Sequence, residues 1–443
     1  MNSSEPLTQA AQYLCPGERH PISRAIHLGR LASFYPGCRH CPHRDDTGTL
    51  SPRQVRQLAE TRPRGEARSV FHDEGAGGVY LNDLGPAVAR RIAVAFGVAM
   101  QQSPIANPSV VLAGDGRPIA AELVAAASEG LRFSGCNVID IGPATAACLA
   151  FAVDHLQAAG GILVGNPGTQ PHVVGLKFWA SGGNPLSAGG SLEPLAQLYQ
   201  TGVGRPTRAF GALRRFQAET PYLAALASHY HALRPLRVVL DSASLPLAKY
   251  LEELTAATAC RVVLCRTTRE ELPGAVRGRA AHFAACIDGD GETCRVLDEQ
   301  GRPVPAERLL LLLVRHMLHT ACEQTVAHVA HVVLEDGTPQ WLVDRLERYG
   351  TRVVLIGSQE GDADSRGLTA PGRPAGRSAM AAAMRQHGAI LGGGPSGRFW
   401  YAGHAAAGLP LPDALMTLTL LLELLSRTDD PLSVVLDREA AIE

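Results

Sequence analysis

The chain holds 443 residues, 46% hydrophobic and 19% charged, with a formal net charge of −1. That balance describes a globular protein of about three domains at roughly 150 residues each, and it leaves no global field to attract nucleic acid or an anionic membrane. Aromatics at 5% offer little base-stacking surface, and the longest apolar run, LLLLLV at 309–314, meets Arg315 and His316 before it could span a membrane.

The first 65 residues differ from the rest. MNSSEPLTQAAQ lacks the basic start and apolar core of a secretory leader. CRHC at 38–41 has CxxC spacing, with Cys15 upstream and His20, His27, His40 and His43 nearby. Two thiolates so spaced suit one tetrahedral ion, and a third Cys with a His completes a Cys3His set. Cys15, Cys38, Cys41 and His43 are therefore the candidate zinc ligands. Free thiols are the plain alternative and an iron–sulfur cluster a further one. Pro42 excludes a c-type haem, because CxxCH requires His there. A charged, helix-like stretch, SPRQVRQLAETR, follows, and RPRGEARS at 62–69 reads as a linker. The remaining Cys lie mostly in apolar segments, which suits a reducing cytoplasm better than a disulfide framework.

Beyond the linker, short apolar strands alternate with helices. SVVLAG, IAAELVAAASEGLRFSG, NVIDIG, AACLAFAVDHLQAAG and GGILV form one run. LRVVLDS, LAKYLEELTAATA and CRVVLC form a second, and HVVLED, PQWLVDRLERYG and TRVVLIG a third. This rhythm predicts three related α/β domains, with boundaries in QTGVGRPTRAFG near 200–211 and near 300.

Three motifs sit in this frame. GGILVGNPGTQPHVVGLKFW at 160–179 looks like a strand feeding an active-site loop, with Pro167 at its turning point. CIDGDGETCRVLDEQG at 286–301 alternates Asp288, Asp290 and Glu292 with glycines, so in an extended loop three carboxylates converge, as a hard cation such as Mg2+ or Ca2+ requires. The EF-hand reading, with Glu299 at the twelfth position, fails because Thr293 replaces the glycine at position six; a solvated acidic hairpin is the plain alternative. GGGPSGRFW at 392–400 is either an anion-cradling loop aided by Arg398 or a tight turn.

Taken in this order, the segments resemble the α-D-phosphohexomutases, the phosphoglucomutase/phosphomannomutase family, from about Phe71 to about Leu425. FHDEGAGGVYLNDLGPAVARRIAVAFG resembles the family's opening segment and VVLAGDGRP its GRDTR-type turn. The 160–179 stretch resembles the phosphoserine segment, DGDGETCRVLDEQG the metal loop, and PAGRSAMAAAMRQHGAILGGGPSGR the sugar-recognition segment. The resemblance implies three consecutive α/β domains with mixed sheets covered by helices, at 66–205, 206–300 and 301–443, behind a Cys/His-rich module at 1–65. The family's fourth, phosphate-clamping domain is expected to be absent.

In that family a serine passes a phosphoryl group to and from a hexose phosphate while three aspartates hold Mg2+. Matched by position, Pro167 stands at the serine and Gly168 at the neighbouring histidine. Asp288 and Asp290 match two metal ligands, Glu292 replaces the third, and Thr293 replaces an arginine. The recognition glutamate is Gly394, Ser396 is retained, two histidines are replaced by Arg377 and Arg398, and the opening arginine is Gly77. Thr169 lies several ångströms along the chain from the serine position, too far for in-line transfer.

The expected protein is therefore a cytoplasmic homologue without mutase activity. It would bind a phosphosugar or other anion through Arg377, Ser396 and Arg398, or bind a protein partner through the N-terminal module. The alternatives are a Mg2+-dependent phosphosugar enzyme of altered chemistry and a zinc-containing scaffold. Neither nucleic acid nor membrane is an expected partner.

Overall fold

The structure, a computed structural model, describes residues 12–16, 18–62, 69–102, 107–165, 170–203, 209–265, 270–323, 329–356, 376–403 and 408–441. Two short strands, β1 (Gln12–Tyr13) and β2 (Ile22–Ser23), pair antiparallel and lead into α1 (Arg24–Ala32) and α2 (Pro52–Glu60). The α1 N-terminus is capped by the Ser23 hydroxyl, and α2 by a reciprocal Ser51–Gln54 box with Pro52 in its first turn. Leu31, Phe34, Cys38 and Leu58 share a core with the first sheet, so this region packs onto it.

The first sheet and its helices comprise β3 (Phe71–His72), β4 (Gly75–Val79), α3 (Pro86–Gln101), β5 (Ser109–Gly114), α4 (Pro118–Phe133), β6 (Asn137–Pro143) and α5 (Ala146–His155). They continue with β7 (Gly160–Gly165), β8 (Val173–Ala180), β9 (Asn184–Pro185), α6 (Glu193–Thr201) and β10 (Leu213–Arg215). The second group is α7 (Glu219–Leu226), β11 (Arg237–Ser242), α8 (Leu245–Thr255), β12 (Arg261–Leu264), α9 (Leu272–Gly278), β13 (Phe283–Ile287) and β14 (Cys294–Asp298). The third is α10 (Ala306–Glu323), β15 (His331–Glu335), α11 (Gln340–Arg348), β16 (Arg352–Ile356), α12 (Arg377–His387), β17 (Ala389–Gly393), β18 (Trp400–Ala402), β19 (Pro410–Pro412), α13 (Ala414–Ser426) and α14 (Leu432–Ala441).

One unit recurs three times. The orders β6-β5-β7-β8, β12-β11-β13-β14 and β16-β15-β17-β18 are the same second-first-third-fourth arrangement. In each, the first strand pairs in parallel with the second and third, and the fourth runs antiparallel to the third. Parallel neighbours need a crossover, which α4 and α5, α8 and α9, and α11 and α12 supply. The first strand is buried in each case, Val110–Leu112, Val238–Leu240 and Val332–Leu334 being at most 1% exposed. That accounts for the apolar runs in the sequence.

The alternation of strand and helix in the sequence thus matches the structure nearly segment by segment. It does not mark that the fourth strands run antiparallel. The first sheet also runs past the boundary expected at 205, because β10 adds in parallel to β6. Residues 204–208 and most of the linker, 63–68, lie outside the described residues. Among the described residues no helix is long and apolar enough to cross a membrane.

The repeat puts the three sequence motifs in equivalent places. Residues 166–172, 288–293 and 394–399 each connect a third strand to a fourth. That is the carboxyl end of a parallel strand, where α/β sheets hold ligands.

Helices α3 and α4 pack closely over the first sheet. A Cβ at Gly130 would stand 2.5 Å from the Arg90 carbonyl oxygen and 3.1 Å from the Ala93 Cβ. The first neighbour is backbone and cannot rotate away. Gly130→Ala is expected to destabilise the protein by about 1–3 kcal/mol, read as a lower urea midpoint by circular dichroism.

Candidate functional site

The acidic connection of the second unit is joined to the other two units by backbone before any side chain is considered. The Cys294 N–H donates to the Gly397 carbonyl at 2.9 Å, and Thr293 and Arg398 form an antiparallel bridge. The Ala146 N–H, in the first turn of α5, donates to the Asp290 carbonyl at 2.9 Å. The Ala414 N–H, at the start of α13, donates to the Gly291 carbonyl at 3.0 Å. The acidic loop of the second unit is therefore gripped by both others.

Charge then converges on Glu292, whose side chain is 0% exposed. Lys177, from the middle of β8, places its Nζ 2.9 Å from Glu292 Oε2, contacts Asp290 Oδ2, and lies 3.5 Å from Glu74 Oε2. The Arg377 Nε, in the first turn of α12, is 3.3 Å from Glu292 Oε1, and its guanidinium lies over the Trp179 ring at 4.4 Å. Arg398 grips Glu74 with two nitrogens, at 2.7 and 2.9 Å, and reaches Glu292 at 3.3 Å.

A carboxylate so buried would ordinarily hold its proton. Burial does push Glu292 up, but Arg377, Lys177 and Arg398 outweigh it and hold the carboxyl below its usual range. Glu74 is held down likewise, burial being overcome by Arg398 and Lys177. Burial acts on Lys177 in the opposite sense and is overcome by Asp290 and Glu292, so its pKa is raised. Asp290 goes the other way: burial and the neighbouring Asp288 push it well above the carboxylate range against the pull of Lys177.

These partners decide whether the three carboxylates suit Mg2+. Asp288 accepts from the Thr293 hydroxyl at 2.6 Å and the Glu292 N–H at 2.9 Å, while Asp290 and Glu292 are paired with the protein's own cations. Among the described residues no three His, Cys, Asp or Glu are gathered so as to hold a metal ion. A small cavity of about 10 Å3 borders His72, Gly165, Lys177 and Asp290, room for about one water, whereas Mg2+ keeps several. As arranged here, the donor set does not fit Mg2+. The expected convergence on a divalent ion gives way to convergence on an ammonium and two guanidiniums, which the sequence spacing could not reveal because all three come from distant segments.

The sugar-loop residues are similarly engaged. Ser396 donates its hydroxyl to Glu335 Oε1 at 2.6 Å and its N–H to Oε2 at 3.1 Å. The space of a side chain at Gly394 is taken, since a Cβ there would be 2.7 Å from that of Glu335. Arg398 is spent on Glu74 and Glu292, so it does not present a free charge to an anion. Arg377 is fully buried, and among the described residues its Nη1 and Nη2 have no hydrogen-bond partner. At Gly77 a Cβ would meet His72 Nε2 and the Val174 carbonyl at 3.1 Å, a tight fit that a side chain there would need to open by a few tenths of an ångström.

Pro167, Gly168 and Thr169 lie outside the described residues. The far arm of their connection is fixed by Arg117, which donates to the Pro171 carbonyl at 2.9 Å, to the Val173 carbonyl at 3.1 Å and to Asp115 at 2.6 Å.

The four candidate zinc ligands are not brought together. Cys15 and Cys41 pack with Tyr13 and Ile22, their sulfurs 3.8 Å apart, whereas Cys38 turns into the first sheet's core. His43 meets the Tyr13 ring edge-on at 5.4 Å. Burial, with the neighbouring Cys41, raises the thiols of Cys15 and Cys38, the latter to about 11.

Two sequence models of the family are matched: phosphoglucomutase/phosphomannomutase alpha/beta/alpha domain I by residues 68–191, and domain III by residues 351–441. The chain belongs to the phosphoglucomutase/phosphomannomutase family. A phosphoglucosamine mutase of Symbiobacterium thermophilum is 25% identical over 388 residues, covering 83% of this chain and 81% of that protein. A protein of Xanthomonas campestris described as phosphohexose mutases is 27% identical over 256 residues, 54% of this chain; the chain thus spans 56% of that relative's length. Among solved structures, a phosphoglucomutase/phosphomannomutase family protein of Burkholderia thailandensis shares the fold with a TM-score of 0.68 at 22% identity, covering 83% of this chain and 79% of its own. A putative phosphomannomutase of Thermus thermophilus gives 0.67 at 22%, covering 84% and 83%.

Lys177, Glu74, Glu335 and the Asp115–Arg117 pair were not among the site residues read from sequence. Lys177 carried a signal: a lone lysine in the apolar strand VVGLKFWA has to be paired if it is buried. Glu292→Gln leaves Arg377 and Lys177 short of a buried counter-charge and is expected to cost about 3–5 kcal/mol by thermal or urea unfolding. Because the Glu292 pKa is lowered in the fold, its contribution is full above the unfolded value of about 4.3 and is lost as pH falls below it. The variant should therefore show a shallower loss of stability between neutral pH and pH ~3 than the parent.

Proposed function

We propose that this chain is a phosphohexomutase homologue that does not carry out the family's phosphoryl exchange and acts by binding a phosphosugar-type anion. The observation that carries the reading is the pairing of Asp290 and Glu292 with Lys177, Arg377 and Arg398. Unit charges about 4 Å apart at an effective dielectric of about 20 interact by about 4 kcal/mol, and a divalent ion doubles it. Mg2+ entering among these carboxylates would therefore meet about 8 kcal/mol of repulsion from the Lys177 ammonium alone. The sequence points the same way, since Pro167 has no hydroxyl to carry a phosphoryl group. Loss of a covalent nucleophile ordinarily removes several orders of magnitude of rate.

Binding is supported by Arg377, whose two terminal nitrogens lack partners among the described residues inside a closed site. Ordered donors without acceptors are costly to bury unless a ligand or water supplies them. A phosphate or carboxylate answers that need with paired oxygens.

The test combines turnover with thermal shift. Glucose 1-phosphate should raise the melting temperature by mass action without yielding glucose 6-phosphate, with or without Mg2+, and neither Mg2+ nor EDTA alone should move it. Mg2+-dependent conversion would overturn the non-mutase part, and absence of any saturable shift would overturn the binding part.

A further inference from the structure

At the other end of the β13–β14 hairpin lies a cavity of about 340 Å3, within the size range of small-molecule sites. His282, immediately before β13, and Glu299, immediately after β14, line it, while the acidic loop 288–293 joins the far ends of the same strands. Five strand residues at about 3.3 Å each put the two sites roughly 17 Å apart, so this cavity is separate from the ion cluster. Arg234 and Arg277 from the second unit and Leu432 from the start of α14 complete the working wall.

The wall is rich in donors and poor in free acceptors. Among the described residues the Arg234 Nε is buried without a hydrogen-bond partner, and that side chain pairs through Nη1, 3.3 Å from the fully exposed Asp429. Arg277 donates Nη1 to the Gln300 carbonyl at 2.9 Å, one of its five N–H groups. His282 Nδ1 accepts from the Arg237 N–H at 3.0 Å, which in the neutral ring leaves the proton on Nε2 as a donor. Burial and the nearby Arg234 favour that neutral ring by lowering its pKa. The wall's other carboxylate is engaged, Glu299 accepting from the Ser433 hydroxyl at 2.5 Å and from its N–H at 3.1 Å. Ala280, beside His282, is held at φ +46°, a left-handed conformation that costs a non-glycine residue about 1–2 kcal/mol.

We infer that this cavity binds a small molecule bearing an oxyanion, a carboxylate or a phosphate, through Arg234, Arg277 and His282. Unspent donors around a small-molecule-sized space call for a ligand that brings acceptors. Planar guanidiniums suit the paired oxygens of either group.

The experiment is isothermal titration of the full chain with inorganic phosphate and, separately, with citrate, beside the Arg277→Gln and Arg234→Gln variants. Saturable binding of at least one probe, weakened about tenfold or more in either variant, supports the site. Arg277 lies at the exposed end of α9 and carries the test if Arg234→Gln does not fold. Glu292→Gln should leave this binding unchanged, which separates it from any ligand taken at the ion cluster. No saturable binding at millimolar probe, or binding that survives both arginine substitutions, would overturn the proposal.

Discussion

A carboxylate buried away from water has to be neutralised, protonated or paired, and Glu292 is paired three times over. Its partners come from three separate places: Lys177 from the first sheet, Arg377 from the start of α12, and Arg398 from the β17–β18 connection. Glu292 itself belongs to the second unit, so the charge requirement of one side chain can be met only when all three units are in place. Backbone hydrogen bonds from Ala146 and Ala414 to the neighbouring residues hold the loop where those cations can reach it. Desolvation makes such a cluster a poor source of net stability but a strong source of specificity for one arrangement, because removing any member strands the others.

The repeated unit explains why these groups meet. Each copy ends its third strand where one of the three motifs begins, and the connections of the second and third units meet. In a metal-dependent mutase such a centre needs carboxylates left open to a cation and a substrate. Here Arg377 and Arg398 bring positive charge to Glu292. Glu74 then takes up Arg398, and Glu335 takes the space that Gly394 leaves. These contacts balance the buried charges and fill the space at Gly394.

Much of this frame was legible in the sequence. Apolar runs such as SVVLAG, LRVVLDS and HVVLED mark the buried first strands, because a parallel strand covered on both faces needs no polar alternation. Of the alternating Asp288, Asp290 and Glu292, the last two lie among the buried cations, while Asp288 accepts from Thr293 and the Glu292 N–H. Their partners were not legible, since Lys177, Arg377 and Arg398 lie 85 to 115 residues from them in the chain and in other units. The Cys15, Cys38 and Cys41 pattern misled for a related reason. Spacing shows which sulfurs can share an ion, but the amphipathic packing of the Phe34–Cys38 segment onto the first sheet decides where Cys38 points. Glu335 could be found only by noticing that Gly394 leaves a space which a side chain from β15 fills.

The central claim is that the protein's own cations stand where the family's divalent ion would. The most direct measurement is anomalous diffraction from crystals soaked in manganese chloride, since Mn2+ takes oxygen sites that Mg2+ occupies. The account predicts no anomalous peak among Asp288, Asp290 and Glu292, with the Lys177 ammonium remaining in contact with the last two. A peak coordinated by those three carboxylates, with Lys177 displaced, would contradict it.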